Sequence, residues 1–113
     1  MKIVRKISVS ELQEMANKMY GTLVKADVDV AKKIIIVDME MHVDGEQELL
    51  ENGSSQQDLW GINLKPDKFG TDEFIEFDSM INIRPRQNNP SRYVLDSNVR
   101  EQIIQLVGEV VHE

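Results

Sequence analysis

Four polar side chains at alternate positions form the first candidate site: Asp38, Glu40, His42 and Asp44. On a β-strand they would project from one face at a spacing of about 6.5–7 Å, because side chains alternate along a strand. Carboxylates with an imidazole could hold Mg²⁺ or Mn²⁺, so Asp38, Glu40 and His42 are the candidate metal ligands. A solvent-exposed sheet face would show the same pattern, and Asp44 could instead cap a helix. Both interpretations stay open.

Arginine is concentrated in a second candidate, the segment from Arg84 to Arg92, called here the arginine loop. It holds three of the chain's five arginines, and residues 79–95 contain no acidic residue. Guanidinium groups present a planar fork of donors that matches phosphate and carboxylate. The alternative is an ordered loop whose arginines pair with the protein's own acids. The candidate ligand-binding residues are Arg84, Arg86, Asn88, Asn89, Ser91 and Arg92.

The two candidates would share one surface if the strands that carry them were neighbours in a sheet. The polar residues of that predicted surface are Asp38, Glu40, His42, Asn63, Glu76, Asp78, Asn82 and Arg84. Such a set suits the floor of a cleft, and it suits an exposed sheet laced with ion pairs equally well. The nearby Trp60 is expected to anchor the core.

Composition restricts the class of protein. The chain has 113 residues, a net charge of -7 and no cysteine, and 41% of its residues are hydrophobic. We expect one domain over residues 1–113 with its own core. The negative charge argues against binding to duplex nucleic acid, and no apolar run of about 20 residues predicts a membrane span. With no cysteine and no signal peptide at its start, we expect the protein in the cytoplasm.

Helix signals occur at three places along the chain. Ser8 and Glu11 form a capping box at the start of a helix that Gly21 ends. A short helix is predicted from Asp44 to residues 52–53, and a C-terminal helix begins at Asp96 or Ser97. The predicted apolar stripe of the last helix is Val99, Ile103, Val107 and Val110, widened by Ile104 and Val111.

Alternation of apolar and polar residues predicts five strands. They are Ile3–Ile7 at a sheet edge, Thr22–Val30, Ile34–Val43, Leu59–Leu64 and Phe74–Arg84. The resulting order, β-α-β-β-α-β-β-α, predicts an α+β domain. Its sheet should be antiparallel-rich with four or five strands, and the helices should lie mainly on one face.

Four segments of the chain are distinctive: Asp58-Leu59-Trp60-Gly61-Ile62-Asn63-Leu64, Glu76-Phe77-Asp78-Ser79-Met80-Ile81-Asn82-Ile83-Arg84-Pro85, Ser91-Arg92, and His42-x-Asp44-x-Glu46. Together they resemble a family of short bacterial and archaeal proteins known only as a domain of unknown function. The similarity extends over nearly the whole chain. It implies a complete domain, and it implies no activity, cofactor or site residue.

Three functional hypotheses follow. The preferred one is a small cytoplasmic binding or regulatory module whose arginine loop holds an anionic ligand or an acidic segment of a protein partner. The second is a metal-assisted hydrolase of a phosphorylated small molecule, in which Asp38, Glu40 and His42 hold Mg²⁺ or Mn²⁺ and the arginines neutralise the phosphate. The third is a structural domain that forms a homodimer through a sheet edge. No glycine-rich phosphate loop, G-x-S-x-G or H-E-x-x-H motif is present, and no organic cofactor is expected.

Overall fold

A computed structural model describes residues 1–19 and 21–113, which form an α+β fold. The strands are β1 Lys2–Val4, β2 Ile7–Ser8, β3 Val24–Asp29, β4 Ile34–Val37, β5 Leu59–Leu64, β6 Ile75–Glu76 and β7 Val111–His112. The helices are α1 Val9–Met19, α2 His42–Glu51 and α3 Ser97–Val110. An antiparallel sheet runs in the order β1-β4-β3-β5-β6, while β2 and β7 pair separately. The predicted fold class is confirmed, and the element order agrees apart from the short β2 and β7.

The helix ends follow the local sequence signals. Ser8 Oγ accepts a hydrogen bond from the Glu11 backbone N–H at 3.0 Å, and Glu11 Oε1 accepts from the Ser8 N–H at 3.2 Å. This reciprocal pair satisfies two N–H groups that a helix start leaves free. Gly21, with φ of 80°, follows the helix as expected. At the start of α3, the Asp96 carboxylate accepts from the Asn98 N–H at 2.8 Å.

The helices cover both faces of the sheet, two on one side and one on the other. The main core joins α1 and α3 to one face of β3 through Leu12, Met15, Ala16, Ile103, Leu106, Val107, Val24, Ala26 and Val28. A second cluster joins α2 to the opposite face through Leu49, Ile36, Leu59 and Met39. Because side chains alternate along β3, its polar residues Asp27 and Asp29 lie on the α2 side, where both are buried.

The predicted strand Ile34–Val43 is wrong, since β4 ends at Val37. Asp38 has φ of 71°, a left-handed conformation that turns the chain away from the extended path. Asp38, Glu40 and His42 therefore do not alternate along a strand. Helix α2 begins at His42 instead of after Asp44, and no side chain caps it.

The predicted strand Phe74–Arg84 is also wrong, because only Ile75–Glu76 pairs with β5. Farther along β5, the side-chain amide of Asn82 makes the hydrogen bonds that a longer β6 would make. Its Oδ1 accepts from the Gly61 N–H at 2.8 Å and its Nδ2 donates to the Gly61 carbonyl at 3.0 Å. A carboxamide carries the same donor and acceptor as a peptide group, so one side chain satisfies both backbone groups of Gly61.

The chain termini meet in the small parallel pair. The predicted edge strand Ile3–Ile7 is split, since β1 pairs with β4 while Ile7 pairs with Val111. Val111 therefore belongs to β7 and not to the apolar stripe of α3, and Ile104 is 45% exposed.

In the described residues no helix is long and apolar enough to cross a membrane. The outer strands of the large sheet are β1 and β6, and dimer formation through a sheet edge stays a prediction.

Candidate functional site

The arginine loop is held in shape by Asn89, which is buried. Its Nδ2 donates to the carbonyls of Asn82, Ser91 and Tyr93 at 2.7, 3.0 and 2.8 Å, and its Oδ1 accepts from the Leu95 N–H at 2.9 Å. The two Nδ2 hydrogens are thus shared among three backbone carbonyls, and the amide oxygen also has a backbone partner. Asn89 therefore stabilises the loop from within.

Two other predicted ligand residues also have local roles. Asn88 follows a 3₁₀ turn, Pro85–Gln87, and adopts a left-handed conformation with φ of 60°. Asparagine tolerates this conformation better than most residues. Ser91 Oγ accepts a hydrogen bond from the Tyr93 N–H at 3.0 Å. Both residues therefore shape the loop from within.

Arg84 is anchored against the sheet. Its guanidinium group donates to the carbonyls of Gln56 and Leu59, the latter at 2.5 Å, and its central carbon lies 4.2 Å from the centre of the Trp60 ring. Burial lowers the pKa of Arg84, while the charges of Glu46 and Asp58 oppose that shift. Its position is fixed by these contacts, which place a positive charge at the start of the loop.

Arg92 at the far end of the loop pairs with an acid of the protein. Its Nε donates to Asp78 Oδ1 at 2.5 Å, and both side chains are about half exposed. The hydrogen bond to Asp78 and its charge raise the pKa of Arg92. For this arginine the structure matches the alternative interpretation of internal pairing.

Arg86 differs from both, because its side chain is exposed beside an open groove. The groove, called here the Arg86 groove, has a volume of about 560 Å³ and is lined by Gln56, Gln57, Arg84, Pro85, Arg86 and Gln87. Gln87 Nε2 donates to the Gln57 carbonyl at 2.7 Å, which ties the two walls together. Among residues 1–19 and 21–113, no ion pair involves Arg86. The lining contains two guanidinium groups, three carboxamides and no carboxylate.

His42 lines a smaller cleft of about 220 Å³ with other residues from the predicted polar surface. Its Nε2 lies 2.9 Å from the Ile62 carbonyl, which can only accept, so the ring proton resides on Nε2. Burial is the main cause that lowers the pKa of His42, so the ring is neutral near pH 7. The polar side chains that share this cleft are Lys25, His42, Asn63, Asp78, Ser79 and Arg92.

The candidate metal ligands are divided between two places. Asp38 and Glu40 line another groove, of about 540 Å³, with Asp44 and Glu48, whereas His42 turns toward β5. In the part of the chain that the structure describes, no group of three or more His, Asp or Glu side chains is arranged to hold a metal ion. The left-handed turn at Asp38 separates residues that a continuous strand would have aligned.

Two buried carboxyl groups were not expected from the sequence. Asp27 is fully buried and Glu46 is 8% exposed, both where α2 meets the sheet. Burial, followed by the charge of Glu46, raises the pKa of Asp27 to about 9. Alternation along β3 places Asp27 on the face opposite the main core, and the covering helix α2 buries it there. Gly45 in the predicted helix was a sequence signal for this close packing, because α2 can approach β3 so closely only at a residue without a side chain.

Nearly the whole chain matches a known protein family. The model of the family described as "Protein of unknown function (DUF5674)" matches residues 1–110. The chain belongs to this family. No curated protein matches it significantly, and no solved structure does.

Family membership confirms the resemblance to a domain of unknown function over nearly the whole chain. The matched residues of this DUF5674 domain include the arginine loop, the Arg86 groove and the His42 cleft. The family description names no activity, and a fold alone does not determine function, so the chemistry of the grooves is what points to one.

Proposed function

We propose that the protein is a small cytoplasmic binding or regulatory module that holds an anionic group in the Arg86 groove. The group would be the phosphate or carboxylate of a ligand, or of an acidic segment in a partner. One observation carries the proposal: this groove is lined by donors and positive charges, with no carboxylate, in a chain of net charge -7. Such a local reversal of charge favours anions over other ligands.

The two arginines of the groove have different roles in this proposal. Arg84 is fixed by two backbone carbonyls and the Trp60 ring, so its charge is pre-organised before any ligand arrives. Arg86 is exposed, and its fork of donors can turn toward a bound anion. The side-chain amides of Gln56 and Gln57 line the same groove and could donate further hydrogen bonds.

The compartment is part of the proposal. A chain without cysteine has no disulfide bond that a reducing environment could break, and it cannot form one in an oxidising environment. A cytoplasmic location also places the groove among abundant phosphorylated molecules and acidic protein segments.

Charge removal at Arg86 tests the proposal. The probes are inorganic phosphate and a hexaglutamate peptide, titrated into the full-length chain and followed by amide and arginine Nε NMR signals. We expect Arg86→Gln to weaken binding by about tenfold, because a charge-assisted hydrogen bond is lost. The signals of Gln56, Gln57 and Gln87 should move on binding to the wild type.

Arg5→Gln is the matched control, because Arg5 is exposed, lies outside the groove and changes the net charge equally. Its affinity for both probes should equal that of the wild type. Equal weakening by Arg5→Gln and Arg86→Gln would indicate a general charge effect, and unchanged affinity in Arg86→Gln would refute a site in this groove. The relative affinities for the two probes show whether a compact anion or an extended acidic segment fits better.

A further inference from the structure

An aromatic groove lies between α3 and the segment from Phe69 to Phe77. Its volume is about 450 Å³, within the size range of small-molecule sites, and its lining is mainly apolar. All three phenylalanines of the chain line it, together with Tyr93. Phe69 and Phe74 meet edge to face with ring centres 5.1 Å apart, and Phe77 and Tyr93 do so at 5.9 Å. The aromatic groove shares no lining residue with the Arg86 groove.

Gly108 leaves part of this groove open. It lies within α3, where glycine is unfavourable because it has more freedom in the unfolded chain than any other residue. A Cβ atom built at Gly108 meets no atom within 4 Å, so no neighbour in the fold requires a glycine there. One turn earlier, Ile104 also lines the groove and is 45% exposed. The missing side chain keeps a space that the chain itself does not fill.

Acidic side chains outnumber basic ones in the lining of the groove. Asp72 and Glu101 line it, and in the described residues neither carboxylate forms an ion pair or a hydrogen bond. Arg100 also lines it, but its Nη1 donates to the carbonyls of Val94 and Leu95 at 2.7 and 2.9 Å. The Arg100 guanidinium carbon lies 5.1 Å from the centre of the Tyr93 ring. The position of that arginine is therefore fixed by the protein, whereas the two carboxylates are free to meet a cation, and the lining carries two negative charges against one positive charge.

We propose that the aromatic groove binds a small ligand with an aromatic body and a protonated amine. The ring of the ligand would pack among the phenylalanine rings over Gly108, where apolar area is buried. The ammonium group would lie near Asp72 and Glu101, and the electron-rich faces of the rings attract the same charge. This proposal stands independently of the Arg86 groove.

Three probes of similar size and different charge test the proposal. They are 2-phenylethylamine, 2-phenylethanol and 3-phenylpropionate, each titrated into the full-length chain near neutral pH and followed by amide NMR signals. We expect the amine to bind about fivefold more tightly than the alcohol, and the acid to bind most weakly. The signals of Thr71, Ile104 and Gly108 should shift most. Equal affinity for amine and alcohol would overturn the assignment of a cationic ligand.

Matched variants locate the site. Gly108→Leu should fill the open space and weaken amine binding by about tenfold, whereas Gln105→Leu, exposed on α3 outside the groove, should leave it unchanged. If Gly108→Leu does not fold, Gly108→Ala replaces it, with a smaller loss expected. Asp72→Asn combined with Glu101→Gln should make amine and alcohol bind equally and leave alcohol binding as it was. Arg86→Gln should bind the amine like the wild type.

Other occupants would give different results. Self-association in sedimentation velocity that Gly108→Leu abolishes would show that a second copy covers the groove, and the ligand proposal would be wrong. Unchanged amine affinity in Gly108→Leu or Gly108→Ala would place any binding elsewhere and would also overturn it.

Discussion

The carboxyl group of Asp27 is fully buried between the sheet and α2, where the backbone N–H of Glu46 only partly offsets the cost of burial. Burial and the charge of Glu46 raise its pKa from an ordinary 3.8 to about 9. The folded state therefore keeps a proton that the unfolded state releases between these two pH values. The stability that this proton contributes is complete below about pH 4 and is lost as pH rises toward 9, at up to about 1.4 kcal/mol per pH unit.

Asp27→Asn should therefore stabilise the protein, and more at pH 8 than at pH 5. The amide has nearly the same shape as the carboxyl group and cannot ionise, so the loss of stability with rising pH should largely disappear. Urea denaturation at several pH values measures the effect, with a gain of about 2 kcal/mol or more expected near pH 8.

Asp29 is the matched control for this substitution, because it is equally buried on the same strand. Its Oδ1 accepts from the Ala31 and Lys32 N–H groups at 2.9 and 2.8 Å, and its Oδ2 accepts from Ser54 Oγ at 2.6 Å. Asp29→Asn should destabilise the protein by about 1–3 kcal/mol, since an amide cannot accept at both positions. Destabilisation of Asp27→Asn at pH 8 would contradict a protonated Asp27.

At the scale of elements, α2 depends on a close approach to β3 at Gly45. A Cβ atom there would collide with Asp27 Oδ2 and lie 2.7 Å from Met39 Sδ, whereas one at Gly108 in α3 meets nothing within 4 Å. Gly45→Ala should therefore lower the free energy of unfolding by about 1–3 kcal/mol. Gly108→Ala should raise it by about 0.5–1 kcal/mol, through helix propensity alone.

The two alanine variants control for each other, because the chemical change is identical and both positions are helical. Denaturation by urea gives both values. If the two changes had the same sign, the contact between α2 and β3 would not be as close as the structure shows.

Helix and strand ends that are determined by neighbouring residues could be predicted from the sequence. The capping box at Ser8, the cap at Asp96 and the bounds of β5 agree with the prediction, because each depends on neighbouring residues or on alternation. The end of β4 could not be predicted, since alternation continues past Asp38 and does not encode the sign of φ. The hydrogen bonds by which the Asn82 side chain, in place of a longer strand, satisfies the backbone of Gly61 could not be predicted either, because the two residues are distant in the sequence.

The candidate site was predictable to the level of a segment. Clustered arginines predicted an exposed cationic loop, and Arg86 lies exposed beside a groove without carboxylates. The roles of Arg84, Asn89 and Arg92 depend on which backbone groups and acids lie nearby after folding. Composition identifies a cationic loop, and only the tertiary contacts divide it into residues that build the loop and residues that face solvent.

At the scale of the whole molecule, a net charge of -7 is carried by a particle with extents of 37 × 29 × 24 Å. The Debye length is about 30 Å at 0.01 M salt and about 8 Å at 0.15 M. At low salt the whole acidic surface therefore repels an approaching anion, whereas near physiological salt only nearby charges act on it, and the charges that line the groove are Arg84 and Arg86. Long-range repulsion is screened first, and short-range attraction is screened only at higher salt.

Phosphate affinity at the Arg86 groove should consequently pass through a maximum as salt increases. We expect binding to strengthen a few-fold between about 0.01 and 0.15 M NaCl and to weaken again toward 1 M, where the Debye length is about 3 Å. NMR titration of the wild type at several salt concentrations measures this, with Arg5→Gln as a variant whose curve should have the same shape. A monotonic decrease from the lowest salt would mean that the acidic surface does not oppose the anion. The groove would then have to be electrostatically isolated from the rest of the molecule, which a particle of this size does not allow.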